Sequence, residues 1–516
     1  MHQKFATFIL STEKLPIGFG LWMATALSII FIRNSLESLI DYGKFPDITA
    51  FDLVHVPVLF LSVLLGVILI LHFFSATGVA ALSRTCLIGF LVILVPILVD
   101  LIPALRGTPT NYNYVFENPG VKFLNFFNPF YSAPDIPISQ RLEVAIITIL
   151  SFIYIVVKTG RLVRAVLGAL CIFLLIFAYG ALPAFIINAF NGLVYPVLKL
   201  FLKGPVGATM DESVIVITQL FSLTGLCAMW YWRYDSHKFR AIVGNLRWER
   251  SVHYVLMALL GLRLAVPAVS FQDLFILFKI GAMLTAIFFA FQHAVVVNDL
   301  FDVAGDKMTN TRRPLVSAAM ERQEYFLIGS IFLALALAFA LWVSDACFMV
   351  IVFLVALAFI YSAPPLRLKK NLFSSMLILG LEAMLVFVLG QVAFSPPGSV
   401  LTINATVALL IFIIICLGES IKDLKDIEGD AATGVVTLPV LLGEKDARNL
   451  IGGLVALGYV LTAVFLVPHY AHLALTWFAF LFAGLNFCYI ARSGANERGV
   501  FLLYFAYGLI LFALLK

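Results

Sequence analysis

Charge is what this chain has least of: only 12% of its 516 residues are Asp, Glu, Lys or Arg, against roughly a quarter in soluble domains. That scarcity, with a composition that is 62% hydrophobic, excludes an ordinary soluble globule. A net charge of +5 gives no basic surface of the kind a nucleic acid needs, so no nucleic-acid partner is expected. Cysteine is sparse as well. Cys86, Cys171, Cys227, Cys347, Cys416 and Cys488 lie far apart, mostly inside apolar runs, without the paired spacing of a metal site or a disulfide framework. They read as packing residues. The first apolar run follows Lys4 and Lys14 but has no small-residue cleavage site, and further runs stand behind it. It is therefore expected to be a first membrane helix and not a removed signal.

Long apolar runs are abundant. They recur at a length that lets an α-helix cross about 30 Å of hydrocarbon, so the expected fold class is all-α, a polytopic membrane protein. About six fall near 15–33, 54–76, 84–105, 142–158, 165–189 and 212–232. About nine more fall near 251–267, 272–298, 325–343, 346–361, 373–394, 403–421, 447–467, 472–491 and 499–515. A hydrophilic stretch separates the two sets, which divides the chain into an N-terminal membrane domain (1–232), a linker (233–250) and a second membrane domain (251–516). The connection 108–140, rich in Asn, Pro and aromatic residues, is expected to be an ordered or interfacial loop.

In the second half, basic connections alternate with connections that carry no Lys or Arg. Lys307, Arg312, Arg313 and Arg322, then Arg367, Lys369 and Lys370, then Lys422, Lys425, Lys445 and Arg448, then Arg492 and Arg498 fall on one side. The positive-inside rule makes that side cytoplasmic.

One of these basic ends also carries acids. Asn-Asp-Leu-Phe-Asp-Val-Ala-Gly-Asp at 298–306 recurs as Lys-Asp-Leu-Lys-Asp-Ile-Glu-Gly-Asp at 422–430, with four expected spans between the copies. An even number of spans places both copies on the same side, as in two parallel halves. If the helices continue through the motifs, Asn298, Asp302 and Asp306 share one face, as do Asp423, Asp426 and Asp430. Facing carboxylate clusters in a poorly solvated cavity need a cation between them, and hard oxygen ligands beside a substrate phosphate suit Mg2+. Arg312, Arg313, Arg367 and Lys369 are then free for phosphate. A single Asp pair at a helix end is commonly a solvated cap. Two matched copies in register are not explained that way.

From about 251 to 516 the chain resembles the UbiA superfamily of intramembrane prenyltransferases. The resemblance rests on N298-D-L-F-D302-V-A-G-D306, D423-L-K-D426-I-E-G-D430, Y361-S-A-P-P-L-R367-L-K369 and T437-L-P-V. It implies a nine-helix bundle, here preceded by about six additional spans. It also implies Mg2+-dependent transfer of a prenyl group from an isoprenoid diphosphate to an aromatic, quinone-precursor-like acceptor or a polar lipid. By that resemblance Asn298, Asp302 and Asp306 hold one metal ion, and Asp426 and Asp430 another. Arg313, Tyr361, Arg367 and Lys369 hold the diphosphate, and Asp299 and Asp423 are supporting members or proton acceptors. One departure concerns the acceptor subclass: the run after the first motif reads R313-P-L-V-S-A, without the Arg-Pro-x-Pro-Ser-Gly that resembled members commonly carry.

Phe291, Phe301, Phe359 and Tyr361 are candidate aromatic faces for an allylic cation. Lys279 and Glu382 lie inside apolar spans, where ionisable groups are costly; they are expected either to pair or orient the polar head of the acceptor, or merely to snorkel or neutralise one another. Two rival readings remain at this point: a membrane terpene cyclase using the same diphosphate site, and a secondary transporter, whose acids belong nearer mid-membrane.

Overall fold

The computed structural model describes residues 2–42, 50–102, 137–189, 212–265, 274–394, 403–470, 473–492 and 494–514. All regular structure among them is helical, as the composition requires. Fourteen helices among the described residues are long and apolar enough to cross a membrane, six before residue 240 and eight after it. Nearly all of the 108–140 connection lies outside the described residues.

The backbone forms two compact units, Met1–Phe239 with Phe271–Phe278, and Arg240–Ser270 with Lys279–Lys516. In the first unit Trp22 and Trp230 stack with ring centroids 5.5 Å apart. Their indole N–H groups donate to the backbone oxygen and the hydroxyl of Ser83. Glu13 accepts from the Tyr154 hydroxyl and the Lys158 ammonium, each at 2.7 Å. These contacts satisfy polar groups that lipid cannot.

The second unit contains α1 (Trp248–Ala265), α2 (Leu274–Phe301) from Lys279 onward, the short α3 (Val303–Thr309), α4 (Arg322–Val343), α5 (Asp345–Ser362), α6 (Leu372–Val392) and α7 (Ala405–Gly418). After a 3-10 turn over Glu419–Lys425 come α8 (Ile427–Thr433), α9 (Leu438–Leu442), α10 (Glu444–Tyr470), α11 (Leu473–Ile490) and α12 (Glu497–Leu514). Several long helices start at a polar cap that the sequence supplies. Ser344 accepts from the Cys347 N–H, Asn371 from Phe373 and Ser374, and Asn404 from Val407. The helix expected near 251–267 is present as α1. Its charges at Glu249, Arg250 and Arg263 leave it outside the fourteen, so eight helices qualify in this half where nine were expected.

Because lipid tails are as apolar as leucine, helices in a membrane associate through close packing of small residues. Along α1 and α6 this contact is between backbones. A Cβ on Gly261 would lie 2.0 Å from the Phe387 carbonyl oxygen, and one on Gly390 would lie 1.9 Å from that of Ala258. A second cluster of Tyr459, Ala463, Ala479, Phe482, Ala483 and Tyr507 joins α10, α11 and α12. The cavity described below lies among these helices.

Candidate active site

Each acidic motif breaks its helix at the second Asp. Asp302 (φ −105°, ψ 6°) separates α2 from α3, and Asp426 (φ −111°, ψ 14°) separates the 3-10 turn from α8. The expectation that the helices run on through the motifs is therefore corrected: both stop in the same sparsely populated backbone region and restart. The restarted helices α3 and α8 face each other across their glycines. A Cβ on Gly429 would meet Thr309 Cγ2 at 3.1 Å and the Gly305 carbonyl at 3.4 Å. One on Gly305 would meet Thr433 Cγ2 at 3.5 Å. Thr309 and Thr433 hold the same place in the repeat, so the matched pattern runs three residues beyond the last Asp. The glycines serve close approach and do not loosen the turn.

The acids of the first motif are taken up by cations. Asp302 accepts from Arg367 Nη2 at 2.9 Å and from Lys369 Nζ, which also donates to Asn298 Oδ1 at 3.0 Å. Arg367 reaches it from a left-handed backbone (φ +41°, ψ +55°), a conformation that costs a non-glycine residue about 1 kcal/mol or more. Asp306 pairs with Arg313 and accepts from Asn310 Nδ2 at 3.3 Å. Burial opposes ionisation of Asp302, but Lys369 and Arg367 outweigh it and hold the carboxyl below the usual range. Burial pushes Asp306 up to about 6; Arg313 pulls the other way, and the Asp299 and Asp302 charges add to the rise.

Asp299, expected as a supporting group or proton acceptor, is 1% exposed and is not part of the cavity wall. Its oxygens accept from Asn245 at 2.7 Å, Tyr325 at 2.9 Å, Arg247 at 3.2 Å and Arg313 at 2.8 Å. With both oxygens occupied it anchors the segment before α1 to α2 and α4. Asp299→Ala is expected to destabilise the folded protein by about 1–3 kcal/mol, because it takes the shared acceptor from the half-buried Arg247 guanidinium and from Asn245 and Tyr325, while Arg313 keeps Asp306. A melting temperature in detergent unchanged from wild type would contradict this.

The second motif differs. Among the described residues no ion pair is made to Asp423, Asp426 or Asp430, and the Asp426 carboxylate accepts only from Asn310 Nδ2, at 3.3 Å. Burial, reinforced by the charges of Asp423 and Asp426, pushes Asp430 up to about 7. Lys422, which stands where the first motif has Asn298, pairs instead with Glu419 and donates to the Tyr361 hydroxyl at 2.6 Å.

Both motifs open onto one cavity of about 600 Å³. Its acidic end carries Asn298, Asp302, Asp306, Asp423, Asp426 and Asp430 together with Arg313, Arg367, Lys369 and Tyr361. Leu256, Leu260, Leu410, Ile411, Ile414 and Leu511 give the rest of the wall its apolar character. Of the candidate aromatics, Phe291, Phe301 and Tyr361 line the cavity, whereas Phe359 is 49% exposed on the outer face of α5. Glu382 is on the wall and accepts from the Tyr254 hydroxyl at 3.3 Å, while Lys279 is not on the wall.

Arg247, Arg250, Asn310, Lys422 and Glu497 also line the cavity, and the sequence reading gave none of them a role in the site. Arg250 pairs with Glu497 at 2.6 Å. The sequence signal for the arginines is the run Arg-Trp-Glu-Arg at 247–250, which leads directly into α1.

Among the described residues no group of three or more His, Cys, Asp or Glu side chains is arranged to hold a metal ion. The five expected ligands are thus near one another without forming a cage. Their chemistry still fits Mg2+, which keeps several waters and binds through one or two carboxylates plus substrate phosphate. Asp426 and Asp430 carry the uncompensated charge such an ion would neutralise.

The model of the UbiA prenyltransferase family matches residues 254–509. That part of the chain belongs to the UbiA family. Digeranylgeranylglyceryl phosphate synthase of Methanosarcina mazei is 27% identical over 181 residues, which is 35% of this chain and 61% of the relative. Chlorophyll synthase of Arabidopsis thaliana is 31% identical over 192 residues, 34% of this chain and 48% of the relative. The matches thus span roughly half to three-fifths of these relatives' own lengths. A solved UbiA homolog from Archaeoglobus fulgidus, bound to GPP and Mg2+, is 19% identical with a TM-score of 0.42, covering 53% of this chain and 97% of that one. The UbiA match covers both acidic motifs and the Tyr361–Lys369 segment.

Proposed function

We propose that the UbiA domain transfers a prenyl group from an isoprenoid diphosphate to an aromatic or polar lipid acceptor within the membrane, with Mg2+ as cofactor. The observation that carries this reading is the meeting of two matched acidic motifs and several cations at one end of an otherwise apolar cavity. An amphiphile with a diphosphate head and a hydrocarbon tail is complementary to both ends. The basic connections support a cytoplasmic position for the acidic end. Residues 1–232 and the linker 233–250 carry neither motif, and the chemistry is assigned to 251–516.

Asn298, Asp302, Asp306, Asp426 and Asp430 are the oxygen donors for metal. When bound, Mg2+ neutralises charge on the leaving diphosphate. Arg313, Arg367 and Lys369 exchange their carboxylate partners for phosphate oxygens, with Tyr361 beside them. As the C–O bond to the diphosphate breaks, its electron pair leaves with the diphosphate. An electron pair of the acceptor forms the new bond to the allylic carbon. Asp423, on the cavity wall, takes the proton the acceptor loses. Phe291 and Phe301 present ring faces to the developing cation.

Membranes containing the full chain, incubated with isoprenoid diphosphates, Mg2+ and phenolic or lipid-alcohol acceptors, should yield prenylated acceptor by mass spectrometry. Cyclised hydrocarbon formed without acceptor would replace this reading with a cyclase, and metal-independent uptake with a transporter. Phe359→Ala, on the outer face, is expected to leave turnover within about twofold of wild type, whereas Phe291→Ala lowers it by about tenfold or more. Equal effects of the two on the rate of diphosphate release would contradict the assignment of the ring faces.

A further inference from the structure

The cavity has a second polar wall, away from the diphosphate end. Glu382 is at the middle of α6, ten residues or about 15 Å of helix from either end. The Tyr254 hydroxyl donates to one of its carboxyl oxygens, and among the described residues no cation pairs with it. His253, next to Tyr254 on α1, is 8% exposed, lines the same cavity, and has no hydrogen-bond partner at Nδ1. The rings of Tyr254, Tyr504 and Phe501 surround it at 5.3, 5.1 and 6.0 Å. Aliphatic side chains such as Leu379 and Leu410 make up the neighbouring wall.

A carboxyl group at that depth without a countercharge is costly and calls for a partner. An isoprenoid chain has no hydrogen-bonding group to give it. We propose that Glu382, Tyr254 and His253 form a seat for an uncharged hydroxyl group of the acceptor, whether phenol or lipid alcohol. An anionic head is disfavoured by Glu382 itself. Arg250, one turn before His253 on the same wall, is already paired with Glu497 and offers no free charge to an anionic head, and neither acceptor class proposed above, phenol or lipid alcohol, is cationic. The seated hydroxyl orients the acceptor and is not the atom that forms the new bond: a phenol reacts at ring carbon, and an alkylglycerol reacts at its other hydroxyl. This inference rests on the prenyl-transfer reading for the identity of the ligand as acceptor.

The test uses the full chain in detergent with 1-naphthol and a 1-O-alkylglycerol as probes, each beside its fully O-methylated ether, which accepts but no longer donates a hydrogen bond. Equilibrium binding is followed by naphthol fluorescence, with the alkylglycerol as competitor, and the apparent KM for the isoprenoid diphosphate is measured in parallel. For at least one probe pair, wild type should bind the hydroxyl form about 10- to 100-fold tighter than the ether. Glu382→Leu and Tyr254→Phe should reduce that preference, Glu382→Leu to near unity, while the donor KM changes by less than about twofold. Glu382→Asp should restore part of the preference. The melting temperature of Glu382→Leu should equal or exceed that of wild type, since an unpaired buried acid is removed. A preference that survives in Glu382→Leu, or that wild type shows for neither probe, overturns the seat. Hydroxyl preference in binding without any prenyl transfer overturns the proposed reaction and supports the seat, and transfer without hydroxyl preference does the reverse.

Discussion

Asp426→Ala lowers the rate of diphosphate release at saturating donor by about 10²- to 10³-fold, the magnitude expected when one group stabilising the leaving charge is lost. Asp302→Ala causes a comparable loss, and the two variants separate in how they bind diphosphate. Asp302 is neutralised by Arg367 and Lys369. Removing it frees two cations, so Asp302→Ala should bind inorganic diphosphate without metal more tightly than wild type does. Asp426 has no ion pair among the described residues, so Asp426→Ala frees no cation and should raise the metal-free affinity less than Asp302→Ala does, only by removing one repelling charge. Equilibrium binding of labelled diphosphate in EDTA reads this directly. Equal metal-free affinities in the two variants would show that the first motif's cations are not reserved for the anion.

The second large effect lies in the scaffold. Gly390→Ala and Gly261→Ala should each remove most of the folded protein, seen as loss of the monodisperse peak in size-exclusion chromatography or a melting temperature lowered by many degrees. Their added Cβ atoms would approach carbonyl oxygens of the facing helix at 1.9 and 2.0 Å. Overpacking a side chain costs about 1–3 kcal/mol, and here the obstacle is backbone, which has no rotamer to change. Any relief must move α1 against α6, which carry Arg250, Tyr254 and Glu382 on the cavity wall. The controls are Gly453→Ala and Gly484→Ala, where nothing lies within 4 Å of the added Cβ. If all four variants behaved alike, the contact between α1 and α6 would not be the close one described.

Span lengths and the repeated acids were legible in the sequence because both are local patterns: an apolar run reports its own burial, and two matched motifs report each other. The break at Asp302 and Asp426 was not legible, since a helix-spaced set of acids looks the same whether or not the backbone pauses within it. Nor was the separation of Asp299 from Asp302. They are three residues apart, yet Asp299 is claimed by Asn245 and Tyr325 from distant segments, while Asp302 meets Arg367 and Lys369. Periodicity assigns a residue to a face and says nothing of what lies opposite. Arg247 and Arg250 were misplaced by the same limit, because hydrophilic residues before a span look like linker until they are seen on the cavity wall. Gly261 and Gly390 sit in apolar runs where glycine alone does not reveal a helix crossing.

In the proposed reaction the two acidic motifs act together as one metal and diphosphate site. Electron paramagnetic resonance of Mn2+, titrated into the full chain with and without a non-hydrolysable prenyl diphosphate analogue, tests it most directly. Mn2+ binding should strengthen with the analogue and be lost in both Asp302→Ala and Asp426→Ala. Analogue-dependent Mn2+ binding that persists when either motif is disabled would contradict it.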